Sequence, residues 1–97
     1  MPEEIQKIKE RISPILKEAG VLRAAIFGSV ARGEARAQSD VDLLIELQEP
    51  LGLLKYARLN YLLEDALQRK VDLVKNTAIK PAFKSNILRD AIYIYGK

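Results

Sequence analysis

Ile5, Ile8, Ile12 and then Ile15 or Leu16 return every three to four positions, so an amphipathic helix is expected over residues 3–19, closed by Gly20. Pro14 interrupts this pattern. It lacks an amide donor, so the helix either kinks there or restarts with Ser13 as its N-cap. The rhythm then changes: Val21–Phe27 (VLRAAIF) is a short, nearly continuous apolar run, as in a mostly buried strand. A short helix is expected after Ser29, breaking near Gly33, then a loop to Ser39 and a second strand over residues 41–47, ended by Pro50. Residues 51–69 form the longest helix candidate and Val71–Val74 a third strand. Residues 81–95 complete the pattern as a helix with Phe83, Ile87, Ala91 and Ile94 or Tyr95 on one side. Helices alternating with short strands predict an α/β (α+β) domain, a small sheet with helices packed against it.

Composition narrows the chemistry. The 97 residues suit one domain, residues 1–97, and 48% hydrophobic with 30% charged residues describes an ordinary globular protein. No apolar stretch approaches the ~18 residues of a membrane span, and the opening MPEEIQKIKE lacks a signal peptide's apolar core. With no cysteine, disulfides, thiolate nucleophiles and cysteine-based zinc sites are excluded, and a cytoplasmic setting is expected. With no histidine, Ser-His-Asp hydrolysis and histidine-ligated zinc are excluded as well. Catalysis must then rest on carboxylates, lysine, arginine, tyrosine or an oxygen-held metal. The net charge of +3 is mild and its basic residues are interleaved with acidic ones, which argues against a dedicated nucleic-acid face.

The candidate chemistry lies in residues 28–42, GSVARGEARAQSDVD. Asp40 and Asp42 flank Val41 and precede Leu43, Leu44 and Ile45, which places them on a strand with both carboxylates on one face and Cα atoms roughly 6.6 Å apart. Such oxygen ligands can share two magnesium ions about 3.5–4 Å apart. Aspartate is disfavoured in strands, and two on one face repel, so a cation is a natural compensation. Asp72, within KVDLV, is a third carboxylate out of place in an apolar run. If its strand lies beside the second, all three can converge; otherwise it is a surface residue at a strand end. Gly28-Ser29 reads either as a phosphate-binding turn or as a plain strand-to-helix turn with Ser29 as N-cap. Gly28 and Gly33 match P-loop glycine spacing, but Glu34 and Ala35 stand where that motif needs lysine and a hydroxyl residue. Arg32, one helical turn beyond Ser29, either faces phosphate or is a solvated charge.

The long helix candidate is apolar around its whole circumference: Leu51, Leu53, Leu54, Tyr56, Ala57, Leu59, Tyr61, Leu62, Leu63, Ala66 and Leu67 spread over every side. A small domain cannot cover every side of such a helix, so a homo-oligomer or partner interface is expected there.

Gly28-Ser29, ten intervening residues, Asp40-Val41-Asp42 and a later Asp72 together resemble the nucleotidyltransferase superfamily of the DNA-polymerase-beta type. The wording Gly-Ser-x-Ala-Arg-Gly followed by Ser-Asp-x-Asp-Leu, with the closing KPAFKSNILRDAIYIYG, resembles its minimal nucleotidyltransferase group along essentially the whole chain. That resemblance implies a mixed β-sheet flanked by helices, Mg2+ (two ions) and ATP as substrate. It implies transfer of AMP to a hydroxyl with release of pyrophosphate. It further implies a small helical HEPN-type partner, a tyrosine of which is modified, with this chain as antitoxin. By the same resemblance Ser29 contacts the triphosphate, Gly28 allows its close approach, and Asp40 and Asp42 bind both metals. Asp72 binds the catalytic metal and helps deprotonate the acceptor. A binding module that neutralises a partner by contact is the alternative; transfer to RNA or a small molecule is a third option, for which the chain has no added substrate domain.

Overall fold

A computed structural model describes residues 2–34, 36 and 39–96. The chain runs α1 (Glu3–Glu18), β1 (Val21–Phe27), α2 (Gly28–Arg32), β2 (Val41–Leu47), α3 (Leu53–Leu67), β3 (Val71–Lys75), a 3₁₀ turn (Asn76–Ala78), α4 (Pro81–Asp90) and β4 (Ile92–Tyr95). The sheet order is β3-β2-β1-β4. β1 pairs antiparallel with β2 and β4, and β2 pairs parallel with β3, so the sheet is mixed as expected. A parallel pair cannot be joined by a tight turn, and α3 supplies the crossover. Among the described residues no helix is long and apolar enough to cross a membrane.

One apolar layer holds this together. Ile5, Ile8, Ile12 and Leu16 of α1 and Leu59, Leu63 and Leu67 of α3 are buried against Ala24, Ile26, Val41, Leu43, Ile45, Val71 and Ile94 of the sheet. Val41, Leu43 and Ile45 enter this cluster whereas Asp42 and Leu44 do not, so strand alternation turns Asp42 to the opposite face.

One expectation needs correction, and one open alternative is decided. The last helix does not reach Tyr95: it stops at Asp90, and Ile92–Tyr95 is an edge strand on β1. The run IYIY is β-branched and aromatic at every position, and Ile94 gains almost complete burial in the sheet. Nor does α1 restart at Ser13; it is one helix from Glu3 to Glu18 with Pro14 inside. The Ser13 hydroxyl donates to the Lys9 carbonyl, and the buried Ile12 and Leu16 on either side of the proline anchor both turns.

Since Pro14 is exposed and supplies no amide to the Glu10 carbonyl, Pro14→Ala should stabilise the fold, by at most the ~3 kcal/mol separating the two residues in helix interiors. Urea denaturation measures this; a lower midpoint would show that the proline is favoured by the helix geometry.

Candidate active site

The end of β1 and the start of β2 are neighbours in the sheet, with Phe27 opposite Asp42. The chain must turn sharply after Phe27, and Gly28 does so at φ +71°. A Cβ on Gly28 would collide with Asp42 Oδ2. The glycine is therefore required twice, for a left-handed backbone and for the close approach of a carboxylate. This contact joins the two halves of the sequence motif.

α2 begins at Gly28, with Phe27 in the capping position and no side-chain cap. Ser29 is thus inside the first turn and is not the N-cap that the plain structural reading required. Gly33 ends the helix at φ 75°, as expected.

β3 pairs beside β2 with Asp42 opposite Asp72, Val41 opposite Val71 and Leu43 opposite Leu73. Asp72 therefore shares the face of Asp42. Asp40 lies one residue before β2 and is exposed, outside the strand on which the spacing placed it. Burial, then the charges of Asp72 and Asp40, push the Asp42 carboxyl above the ordinary aspartate range, and Arg32 partly offsets this. Among the described residues no three carboxylates form a group able by themselves to cage an ion. The donor set still fits magnesium, which usually takes one or two carboxylates and completes its shell with water and substrate phosphates. All the candidate donors are oxygen, and the cation would relieve the repulsion around Asp42.

Arg32 is neither free nor simply solvated. Its Nε donates to Glu34 Oε1 at 2.8 Å and its Nη1 to Asp90 Oδ2 at 2.8 Å, tying α2 to the end of α4. Its field nevertheless reaches Asp42.

Residues beyond the motif also bear on the site. The Tyr56 hydroxyl donates to the Leu73 carbonyl at 2.7 Å, next to Asp72, and Lys75 Nζ lies 4.7 Å from the Tyr56 ring centroid. Burial, then the Asp72 charge, raises the Tyr56 pKa. Arg69 donates from Nε and Nη2 to the Ser39 carbonyl, adjoining Asp40. The place of Tyr56 among the apolar residues of the long helix candidate concealed it, and Arg69 carried only the signal of adjoining KVDLV.

The model of the nucleotidyltransferase domain family matches residues 5–94. A Methanocaldococcus jannaschii protein provisionally named a protein adenylyltransferase is 46% identical over 88 residues, 91% of this chain and 95% of that protein. Protein adenylyltransferase MntA of Thermococcus cleftensis is 39% identical over 93 residues, 95% of this chain and 94% of that protein. Among solved structures, a provisionally named minimal nucleotidyltransferase superposes with TM-score 0.80 at 40% identity, covering 93% of this chain and 92% of that one. A tri-AMPylated Shewanella oneidensis HEPN toxin in complex with MNT antitoxin gives TM-score 0.75 at 19% identity, covering 96% of this chain and 73% of that one, a likeness of fold.

Two outcomes follow from the geometry. Gly28→Ala should cost about 1–2 kcal/mol for the left-handed backbone alone and displace Asp42 as well. Differential scanning calorimetry tests this, and an unchanged melting temperature would disprove the contact. A carboxyl whose pKa is raised by folding favours the fold when protonated. Stability is therefore lost as pH rises from the ordinary 3.8 through the raised value. Asp42→Asn should melt above the parent at pH 7, and the gap should close as pH falls towards the ordinary carboxylate range. A gap independent of pH would remove the electrostatic explanation. The joined Gly-Ser turn and Asp-x-Asp strand, the in-register Asp72 and these relatives establish one conclusion: the chain belongs to the minimal nucleotidyltransferase family.

Proposed function

We propose that this enzyme uses magnesium and ATP to transfer AMP to a tyrosine hydroxyl of a HEPN-type helical protein, and so acts as an antitoxin in the cytoplasm. The observation that carries this reading is the alignment of Asp42 with Asp72 beside the Gly28 turn. Adenylyltransferase relatives along nearly the full chain support it.

In this reading Asp40, Asp42 and Asp72 hold two magnesium ions, which when bound neutralise the triphosphate and the charge developing at the α-phosphorus. Gly28 leaves room for a phosphate, Ser29 offers a hydroxyl to its oxygens, and Arg32 adds positive field. Asp72, exposed at its strand, accepts the acceptor's proton. The acceptor oxygen then bonds to the α-phosphorus, the bond to the β-phosphate bridging oxygen breaks, and pyrophosphate leaves. A tyrosine hydroxyl has a pKa near 10 and needs such activation at neutral pH. Positioning and charge neutralisation dominate phosphoryl-type transfer, so a small scaffold suffices.

A contact-only antitoxin is the second reading. It is favoured by Leu53 and Leu54, 82% and 86% exposed at the start of α3, a surface suited to a helical partner or a second copy.

Calorimetry should show ATP binding with magnesium, and little with EDTA or after Asp40 and Asp42 are both replaced by asparagine. Mass spectrometry of the partner after incubation should show a tyrosine gaining AMP. Asp72→Asn should retain ATP binding better than turnover. A tight complex that never acquires AMP would instead support inhibition by contact.

A further inference from the structure

Asp40 precedes β2, so the sheet ladder that orients Asp42 does not orient it. Its two flanking peptide groups are nonetheless fixed from outside. On one side the Ser39 carbonyl accepts two hydrogen bonds from Arg69, from Nε at 3.0 Å and Nη2 at 2.8 Å. On the other side the Val41 amide donates to the Lys70 carbonyl at 2.9 Å. Two consecutive residues of the α3–β3 connection therefore hold both peptide planes that meet at the Asp40 Cα.

The guanidinium is itself secured. Its side chain is only 14% exposed, and Nη1 donates to Glu4 Oε2 at 3.1 Å, tying it to α1. The connection is anchored again where the Val71 amide donates to Glu64 Oε2 at 2.9 Å, and Asp72 follows one residue later. This places the backbone of Asp40 and the strand of Asp72 in one hydrogen-bonded unit. Two donors on one carbonyl plus a third on a carboxylate require a planar fork; a lysine ammonium offers a single point charge.

We propose that Arg69 is a positioning residue: its fork on the Ser39 carbonyl sets the backbone of Asp40, and thereby the geometry in which Asp40 and Asp42 meet a magnesium ion. The inference rests on the proposed role of Asp40 as a metal ligand. Partners that orient a ligand without touching the metal are worth about 10–100-fold in metal affinity.

The test is Arg69→Lys in the full chain, with Glu4→Gln as a control that keeps both bonds to Ser39. ATP binding is titrated against magnesium, well below the melting temperature of each variant. Arg69→Lys should raise the magnesium midpoint by about 10-fold or more, and Glu4→Gln by much less. Amide hydrogen exchange at Val41, read without nucleotide, should accelerate in Arg69→Lys alone. A lowered melting temperature with an unchanged magnesium midpoint, or equal midpoint shifts in both variants, would overturn the positioning role. The parent's own titration separates the two levels. Magnesium-independent ATP binding there defeats the metal-ligand reading of Asp40, whereas a magnesium-dependent parent matched by Arg69→Lys defeats this inference alone.

Discussion

Asp42 and Asp72 stand side by side in a register that two like charges would not adopt by themselves, and the position of every other site residue is tied to that register. It is imposed from the reverse face of the sheet, where Val41 and Val71 are paired and buried beneath α1 and α3. A one-residue slip of either strand would drive a carboxylate into that apolar layer. Burying an unpaired charge there costs far more than leaving two carboxylates adjacent on the wetter face. The core therefore stores an electrostatic conflict around Asp42. In the proposed reaction, the metal-triphosphate relieves it.

That conflict also explains why the surroundings are so constrained. Gly28 brings bare backbone against the Asp42 carboxylate. Arg32, whose field moderates the same carboxylate, is kept in place by Glu34 and Asp90. Arg69 and Lys70 hold the peptides on either side of Asp40. Contacts from other elements thus hold Arg32 and the backbone of Asp40 in place.

Much of this was legible in the sequence because local pattern and tertiary role coincide there. The apolar run after Asp40 predicts a strand over residues 41–47, which the structure contains, with Asp42 facing away from the core, while Asp40 itself falls just before the strand. Legibility failed where a distant partner decides the outcome. Phe83 and Ile87 share a helical spacing with Ala91, yet the vacant edge of β1 captures Ile92–Tyr95, and no periodicity within the segment reveals that edge. Pro14 left two readings open for the same reason: buried neighbours packed against the sheet carry one helix through a local breaker. Arg32 was ambiguous because Asp90, its second partner, is remote in sequence. The role of Arg69 was illegible because its partners, Ser39 and Glu4, come from two separate segments.

The apolar residues of the long helix resolve into a buried stripe of Leu59, Leu63 and Leu67, an exposed Tyr61, and, at its start, an exposed pair, Leu53 and Leu54. That pair lines a hollow with Ala19 and Gly20, just before β1 begins. The Gly28 turn and Asp42 lie where β1 ends. Seven strand residues separate the two ends, roughly 20 Å. A partner seated on Leu53 and Leu54 would therefore have to extend roughly 20 Å along the domain for one of its hydroxyls to meet Asp72. Under the proposed function this separation leaves room for both readings, association at the apolar end and transfer at the carboxylate end. In that reading contact and catalysis are distinct demands on the same small domain.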